Sequence, residues 1–252
     1  MASKARDVAL VLALGLLAAC AGPQSEVEKQ EAAQTAYDIG LGALAEGNMP
    51  KAIAELRKAV ESSPNNARYH HALGNAYLRG GETDQAIVEF RRAVELDPRL
   101  AEAYNDLGAA YTRREQWDRA IDAFRKALAN PRYLSPERAY TNLGNIYMVQ
   151  GRYAMAAEEF RRVMDIVPQS PDGYFFLGRA LLAQGKTAEA KEQFEKAVRI
   201  DGTIPIFQLE LGKLQMQTGD RAQAREHLQR AVDLNPAGPE AAEARRRLQE
   251  LK

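Results

Sequence analysis

One cysteine, one tryptophan and three histidines among 252 residues leave little from which to build a catalytic or metal centre. Cys20 stands alone, so neither an intrachain disulfide nor a cysteine cluster is possible. His70, His71 and His227 lack the His-Glu-x-x-His spacing of a zinc site, and His70 and His71, as neighbours on a helix, turn to different faces. There is no glycine-rich phosphate loop and no Gly-x-Ser-x-Gly elbow for a nucleophile. Net charge is also missing: 34 basic side chains balance 34 acidic ones, which gives no reason to expect a nucleic-acid partner. These absences exclude most enzyme classes. They point to a binding protein without metal, cofactor or small-molecule substrate, whose partner is another protein.

The N-terminus carries two signals that are present. Lys4 and Arg6 precede an apolar run from Val8 to Leu17, the layout of a signal peptide. That run falls short of the roughly 20 residues a membrane-spanning helix needs. It ends Leu17-Ala18-Ala19-Cys20, the pattern of a lipobox, so residues 1–19 read as a lipoprotein signal peptide and Cys20 as the lipidated residue. Acyl chains at about 0.8 kcal/mol per buried methylene would hold the protein on a membrane. Ala21, where an aspartate would signal inner-membrane retention, favours the outer membrane, with the body of the protein facing the periplasm. Residues 20–32 read as a lipidated tether that spans at most about 40 Å when extended.

The rest of the chain is periodic. Glycines recur at 40, 74, 108, 144, 178 and 212, in steps of 34, 34, 36, 34 and 34. With each glycine at position 8, repeats run 33–66, 67–100, 101–136, 137–170, 171–204 and 205–238. Position 7 is then Ile39, Leu73, Leu107, Leu143, Leu177 and Leu211. Position 20 is Ala52, Ala86, Ala120, Ala156, Ala190 and Ala224, and position 24 is Leu56, Phe90, Phe124, Phe160, Phe194 and Leu228. Tyr77, Tyr111 and Tyr147 share position 11, and Pro64, Pro98, Pro168 and Pro236 share position 32. This set of spacings identifies the chain as similar to the tetratricopeptide repeats, helix pairs of 34 residues. The resemblance implies an all-α fold, a right-handed superhelix (solenoid) of six repeats. Small residues at positions 8 and 20 would let two helices approach closely, and aromatics would fill the space between pairs. Residues 239–252, with Ala241, Ala244, Leu248 and Leu251 on one helical stripe and Arg245, Arg246 and Arg247 elsewhere, read as a capping helix that closes the apolar end.

The same resemblance implies where a partner would sit. In tetratricopeptide proteins the groove is lined by the first helix of each pair at positions 2, 5, 9, 12 and 13. In repeat two these are Arg68, His71, Asn75, Leu78 and Arg79, and in repeat three Glu102, Asn105, Ala109, Thr112 and Arg113. Repeat four offers Arg138, Thr141, Asn145, Met148 and Val149, and repeat five Asp172, Phe175, Arg179, Leu182 and Ala183. Repeat six offers Ile206, Leu209, Lys213, Met216 and Gln217. Six of these residues are basic and two acidic, on an otherwise neutral protein. Asn75, Asn105 and Asn145 could each pair with a peptide amide. The groove therefore reads as a site for an extended protein segment with carboxylates and a few apolar anchors, although the arginines also fit a solvated rim. Among Tyr174, Phe175 and Phe176, Phe175 is the one expected on the groove wall, with packing against the next repeat as the alternative.

The longer step between repeats three and four comes from Asn130-Pro131-Arg132-Tyr133-Leu134-Ser135-Pro136-Glu137. That stretch, followed by Tyr140-x-Asn142-Leu143-Gly144, resembles the type IV pilus lipoproteins called pilotins, as does the plan of lipobox, short tether, six repeats and end cap. The resemblance implies a lipoprotein that binds the pilus secretin and helps it insert or assemble in the outer membrane, and so permits pilus-driven motility. The alternative is another periplasm-facing repeat lipoprotein, a scaffold or adaptor for cell-wall synthesis or a different envelope complex.

Overall fold

A computed structural model describes residues 25–251; the signal sequence and Cys20 lie outside the described residues. Among the described residues there are thirteen helices and no strand. The chain divides into two compact units, Met1–Leu100 and Ala101–Lys252.

The first unit holds α1 (Glu26–Ala45), α2 (Met49–Ser62), α3 (Ala67–Arg79) and α4 (Thr83–Leu96). Short turns join α1 to α2 and α3 to α4, which makes each pair antiparallel. Helix α1 starts well ahead of Ala33, so residues 26–32, expected in the tether, are helical. The reason is a capping box: Ser25 Oγ accepts from the Glu28 N–H at 3.2 Å and Glu28 Oε2 accepts from the Ser25 N–H at 2.8 Å. A Cβ on Gly40 would lie 2.6 Å from Leu56, and one on Gly74 2.6 Å from the Phe90 ring. Between the two helices of each pair the chain turns through a left-handed residue, Gly47 at φ 75° and Gly81 at φ 86°. Ile39 departs from the other position-7 residues. It is 43% exposed where Leu73 is 1%, because no described helix precedes α1 to cover it.

Two polar contacts fix the pairs of this unit. Arg57 Nη2 donates to Tyr77 Oη at 2.8 Å. The buried His70 ring lies 2.6 Å from Glu89 Oε2 through Nδ1 and 2.9 Å from the Pro64 carbonyl through Nε2. Both partners are acceptors, so the ring satisfies both only as the doubly protonated cation. Burial alone would lower its pKa, but the Glu89 carboxylate and the Pro64 carbonyl outweigh burial and the net direction is upward.

The second unit holds α5 (Ala101–Arg113), α6 (Trp117–Leu128), α7 (Pro136–Val149), α8 (Tyr153–Ile166), α9 (Pro171–Ala183), α10 (Thr187–Ile200), α11 (Pro205–Thr218), α12 (Arg221–Leu234) and α13 (Pro239–Glu250). The close approach at position 8 recurs at Gly108, Gly144, Gly178 and Gly212, each against the position-24 side chain of its partner helix. Phe124, Phe160 and Phe194 are buried there, and Arg125 Nη2 donates to the Oη of fully buried Tyr147 at 3.2 Å. The left-handed turn residue is Gly151, Gly185 and Gly219, but in the α5–α6 pair it is Glu115 at φ 56°. The longer α6–α7 loop folds Tyr133 into the core, 7% exposed, and turns Leu134 outward at 87%. Asn130 shapes this turn, its Oδ1 accepting from Arg132 N–H at 2.9 Å and its carbonyl from Tyr133 N–H at 3.1 Å. Ala241 and Ala244 of α13 and Leu251 just beyond it are buried in one cluster with Leu209, Leu228 and Val232, against which Ile206 and Met216 pack.

Candidate protein-binding site

The groove positions separate into three groups once side chains are placed. Leu78, Asn105 and Phe175 are 9%, 1% and 5% exposed, too buried to form an open wall, which corrects their expected place. Phe175 packs on Phe207 of α11 with ring centroids 4.7 Å apart and on Phe194 at 5.7 Å, so the alternative of packing against the next repeat is the one realised. Asn105 Nδ2 donates to Asp106 Oδ1 at 3.1 Å, and its Oδ1 is buried without a partner. Nothing in the 3.6-residue period of the sequence distinguishes position 5 facing a neighbour from position 5 facing water.

A second group is open but engaged within the chain. In the first unit Asn75 Nδ2 donates to His71 Nε2 at 3.1 Å, and His71 rests on Phe90 at 5.8 Å, while Arg68 and Arg79 are exposed. In the second unit Arg138 lies 3.7 Å from Asp106 and Lys213 2.7 Å from Glu210. Two of the six basic groove residues are thereby matched internally. Arg113 is exposed, and Leu182 and Met216 are half-buried against the core clusters.

The third group comes together. Asn145, Met148 and Val149 of α7 face Phe176 and Arg179 of α9 across a recess of about 270 Å³ floored by Phe160. Phe176 stacks on Phe160 at 5.4 Å with 24° between the rings. Successive helical residues differ by about 100°, so while Phe175 turns forward onto Phe207, Phe176 turns back toward α8 and the recess. The spacing rule does not place Phe176 on the groove; the run Tyr174-Phe175-Phe176 is the sequence signal for it. Val149 is 69% exposed and Arg179 is exposed, with its guanidinium 5.9 Å from the Phe175 ring centroid. The recess offers an apolar floor, an amide that both donates and accepts, and a cation.

The first unit adds a polar groove that the 34-residue period does not show, because residues 26–32 of α1 lie ahead of the first repeat. Glu26, Gln30 and Gln34 of α1 face Asn65, Asn66, Arg68 and Tyr69, with Asp97 and Arg99 at its end. Tyr69 Oη donates to Gln34 Oε1 at 3.1 Å and its ring meets Tyr37 at 4.8 Å. Among the described residues no group of histidine, cysteine, aspartate or glutamate is gathered to hold a metal. None of the described helices is long and apolar enough to cross a membrane.

Family models described as TPR repeat match residues 44–81 and 74–114, and models described as tetratricopeptide repeat match 101–130, 136–202 and 181–248. No curated protein matches the chain in sequence. Among solved structures, PilF of Pseudomonas aeruginosa superposes with a TM-score of 0.74 at 24% identity, over 87% of this chain and 99% of that one. PilW, a widely conserved type IV pilus biogenesis factor, gives 0.75 at 23% identity, over 87% and 97%. MamA gives 0.62 at 30% identity, over 68% of this chain and 93% of that one. The two Pil structures share the all-α repeat fold with this chain. By its repeats and by these likenesses, the chain belongs to the tetratricopeptide-repeat family.

Proposed function

We propose that this protein is a pilotin, an outer-membrane lipoprotein that binds the type IV pilus secretin and promotes its insertion and assembly. Cys20 carries the lipid, the repeats face the periplasm, and they hold a partner without catalysing a reaction. The observation that carries the binding reading is the recess between α7 and α9, which sets exposed Val149, Asn145 and Arg179 around a floor of stacked phenylalanines. An apolar floor with a few polar groups at its rim suits recognition of a protein segment. The pilus assignment is supported by the agreement in repeat plan with PilW, a type IV pilus biogenesis factor matched over nearly all of its chain. The Asn130–Glu137 loop supports it independently.

Deleting the gene tests the proposal. Heat-stable secretin multimers, read by immunoblot, and surface pili should both be lost and should return with the wild-type gene. Normal multimers in the deletion strain would exclude the role. Cys20→Ser should move the protein out of the membrane fraction and abolish palmitate labelling; unchanged fractionation would exclude lipidation at this residue.

A further inference from the structure

On the exposed faces of α7 and α9, Arg179 is an unmatched cation, as Arg68 and Arg79 are in the first unit, but of the three it alone borders the recess over Phe160. Arg138 and Lys213 have carboxylates within the chain, whereas among the described residues Arg179 forms no ion pair. Its guanidinium lies 5.9 Å from the ring centroid of buried Phe175 and stays open to solvent. Beside it the recess is closed below by Phe160, which is 1% exposed and cannot be pushed aside because it already fills the space left by Gly144. A volume of about 270 Å³ lies below the range of small-molecule pockets, roughly 300–1,000 Å³, and suits a single large side chain.

We infer that this recess takes one large apolar side chain of an extended partner segment, with an aspartate or glutamate next to it in sequence pairing with Arg179. Three features select that occupant. The stacked Phe160 and Phe176 rings, with Met148 and Val149, give an apolar enclosure that favours leucine or phenylalanine. Arg179 supplies the complementary charge, and a guanidinium recognises a carboxylate through paired N–H donors. Exposed Asn145 offers both a donor and an acceptor, which match the free N–H and C=O groups of an extended backbone; a helical segment spends those groups internally. The carboxylate is a side chain rather than a chain end, because exposed Val149 and Ala183 leave no wall to stop a segment beyond Arg179. This inference rests on the reading of the recess as a protein-binding site.

Met148 lines the recess and supplies a reporter. The full lipoprotein in detergent, carrying ¹³C-methyl methionine, is titrated to about 1 mM with short Gly/Ser peptides containing Phe-Asp, Phe-Asn, Phe-Lys or Ala-Asp. The Phe-Asp peptide should shift the Met148 methyl and bind about 1.4- to fivefold more tightly than Phe-Asn, the range expected of a rim ion pair. Ala-Asp should give no shift. Arg179→Gln should erase the Asp-over-Asn preference and keep the need for Phe, whereas Phe176→Ala should lose binding of every peptide. Equal binding of Phe-Asp and Phe-Asn would overturn the inference, as would a silent Met148 methyl or a preference that survives Arg179→Gln. So would tighter binding of a peptide ending in Phe-Ala with a free terminus. The secretin assay separates the two readings. Peptide selectivity with normal multimers in the deletion strain leaves the recess and removes the pilotin role; lost multimers without selectivity does the reverse.

Discussion

Replacing Gly144 by alanine adds one methyl group where the backbone of α7 lies against the face of a phenylalanine. An ideal Cβ there would stand 2.5, 2.7 and 2.9 Å from three Phe160 ring carbons. That ring is 1% exposed and stacked on Phe176, so relief requires either a ring that leaves its rotamer or a helix pair that separates. Overpacking of this kind costs about 1–3 kcal/mol. Against it stands the gain from replacing glycine by alanine inside a helix, about 1 kcal/mol. The net expectation is a loss of about 0–2 kcal/mol, or up to roughly 8 °C in Tm at about 2–4 °C per kcal/mol for a chain of this size. Gly42 provides the control, since it is helical and exposed with nothing within 4 Å of an added Cβ. There the helix gain stands alone, and Gly42→Ala should raise Tm by about 2–4 °C. Thermal and urea unfolding followed by circular dichroism measure both variants. The Gly144→Ala spectrum should also show a displaced Met148 methyl, because the moved ring is the floor of the recess. A Gly144→Ala protein stabilised like Gly42→Ala would refute the claim that this contact sets the separation of α7 and α8.

Three further outcomes are expected from local chemistry. The His70 pKa is raised in the fold, so its stabilisation is fully present below the unfolded value of about 6.5 and is lost as pH rises through the folded value. Urea midpoints should therefore fall across that window in the wild type, and Glu89→Gln should flatten the dependence; an unchanged slope would sink the reading. Glu115→Gly should stabilise by about 0.5–1 kcal/mol in urea unfolding, because φ 56° strains any residue with a Cβ, and a destabilised variant would contradict this. Tyr133 Oη is buried without a partner and burial pushes its pKa up to about 12. Tyr133→Phe should accordingly be neutral or stabilising by up to about 1 kcal/mol, and a loss above that would reveal a hydrogen bond the hydroxyl does make.

The repeating part of the fold was legible because packing imposes it residue by residue. Glycine at position 8 has to face the position-24 side chain, and the same pairs meet at Gly74–Phe90, Gly108–Phe124, Gly144–Phe160 and Gly178–Phe194. Helix ends were less legible where a local signal was passed over. The Ser25-x-x-Glu28 box starts α1 ahead of the repeat register and creates the polar groove of the first unit. The site was legible only in part. The spacing rule found Asn145, Met148 and Arg179 but also chose Phe175, Asn105 and Leu78, whose exposure depends on neighbours in three dimensions.

That division follows from what each residue does in a repeat. Residues spent on packing carry the period, so they announce the fold and contain little about the partner. Arg57 and Arg125, for instance, both occupy position 25 and both donate to a position-11 tyrosine of the following repeat. Information about the partner must lie where a residue breaks the pattern without a structural return. Val149 is a large apolar side chain at 69% exposure, and Arg179 is a cation without a carboxylate. Each alone would be unremarkable on a protein surface. Together on one recess, over rings that cannot move, they define a side-chain pocket beside a charge. That combination is specific enough to choose among partner segments, whereas the basic surplus counted from the sequence is not, since Asp106 and Glu210 already answer two of its cations.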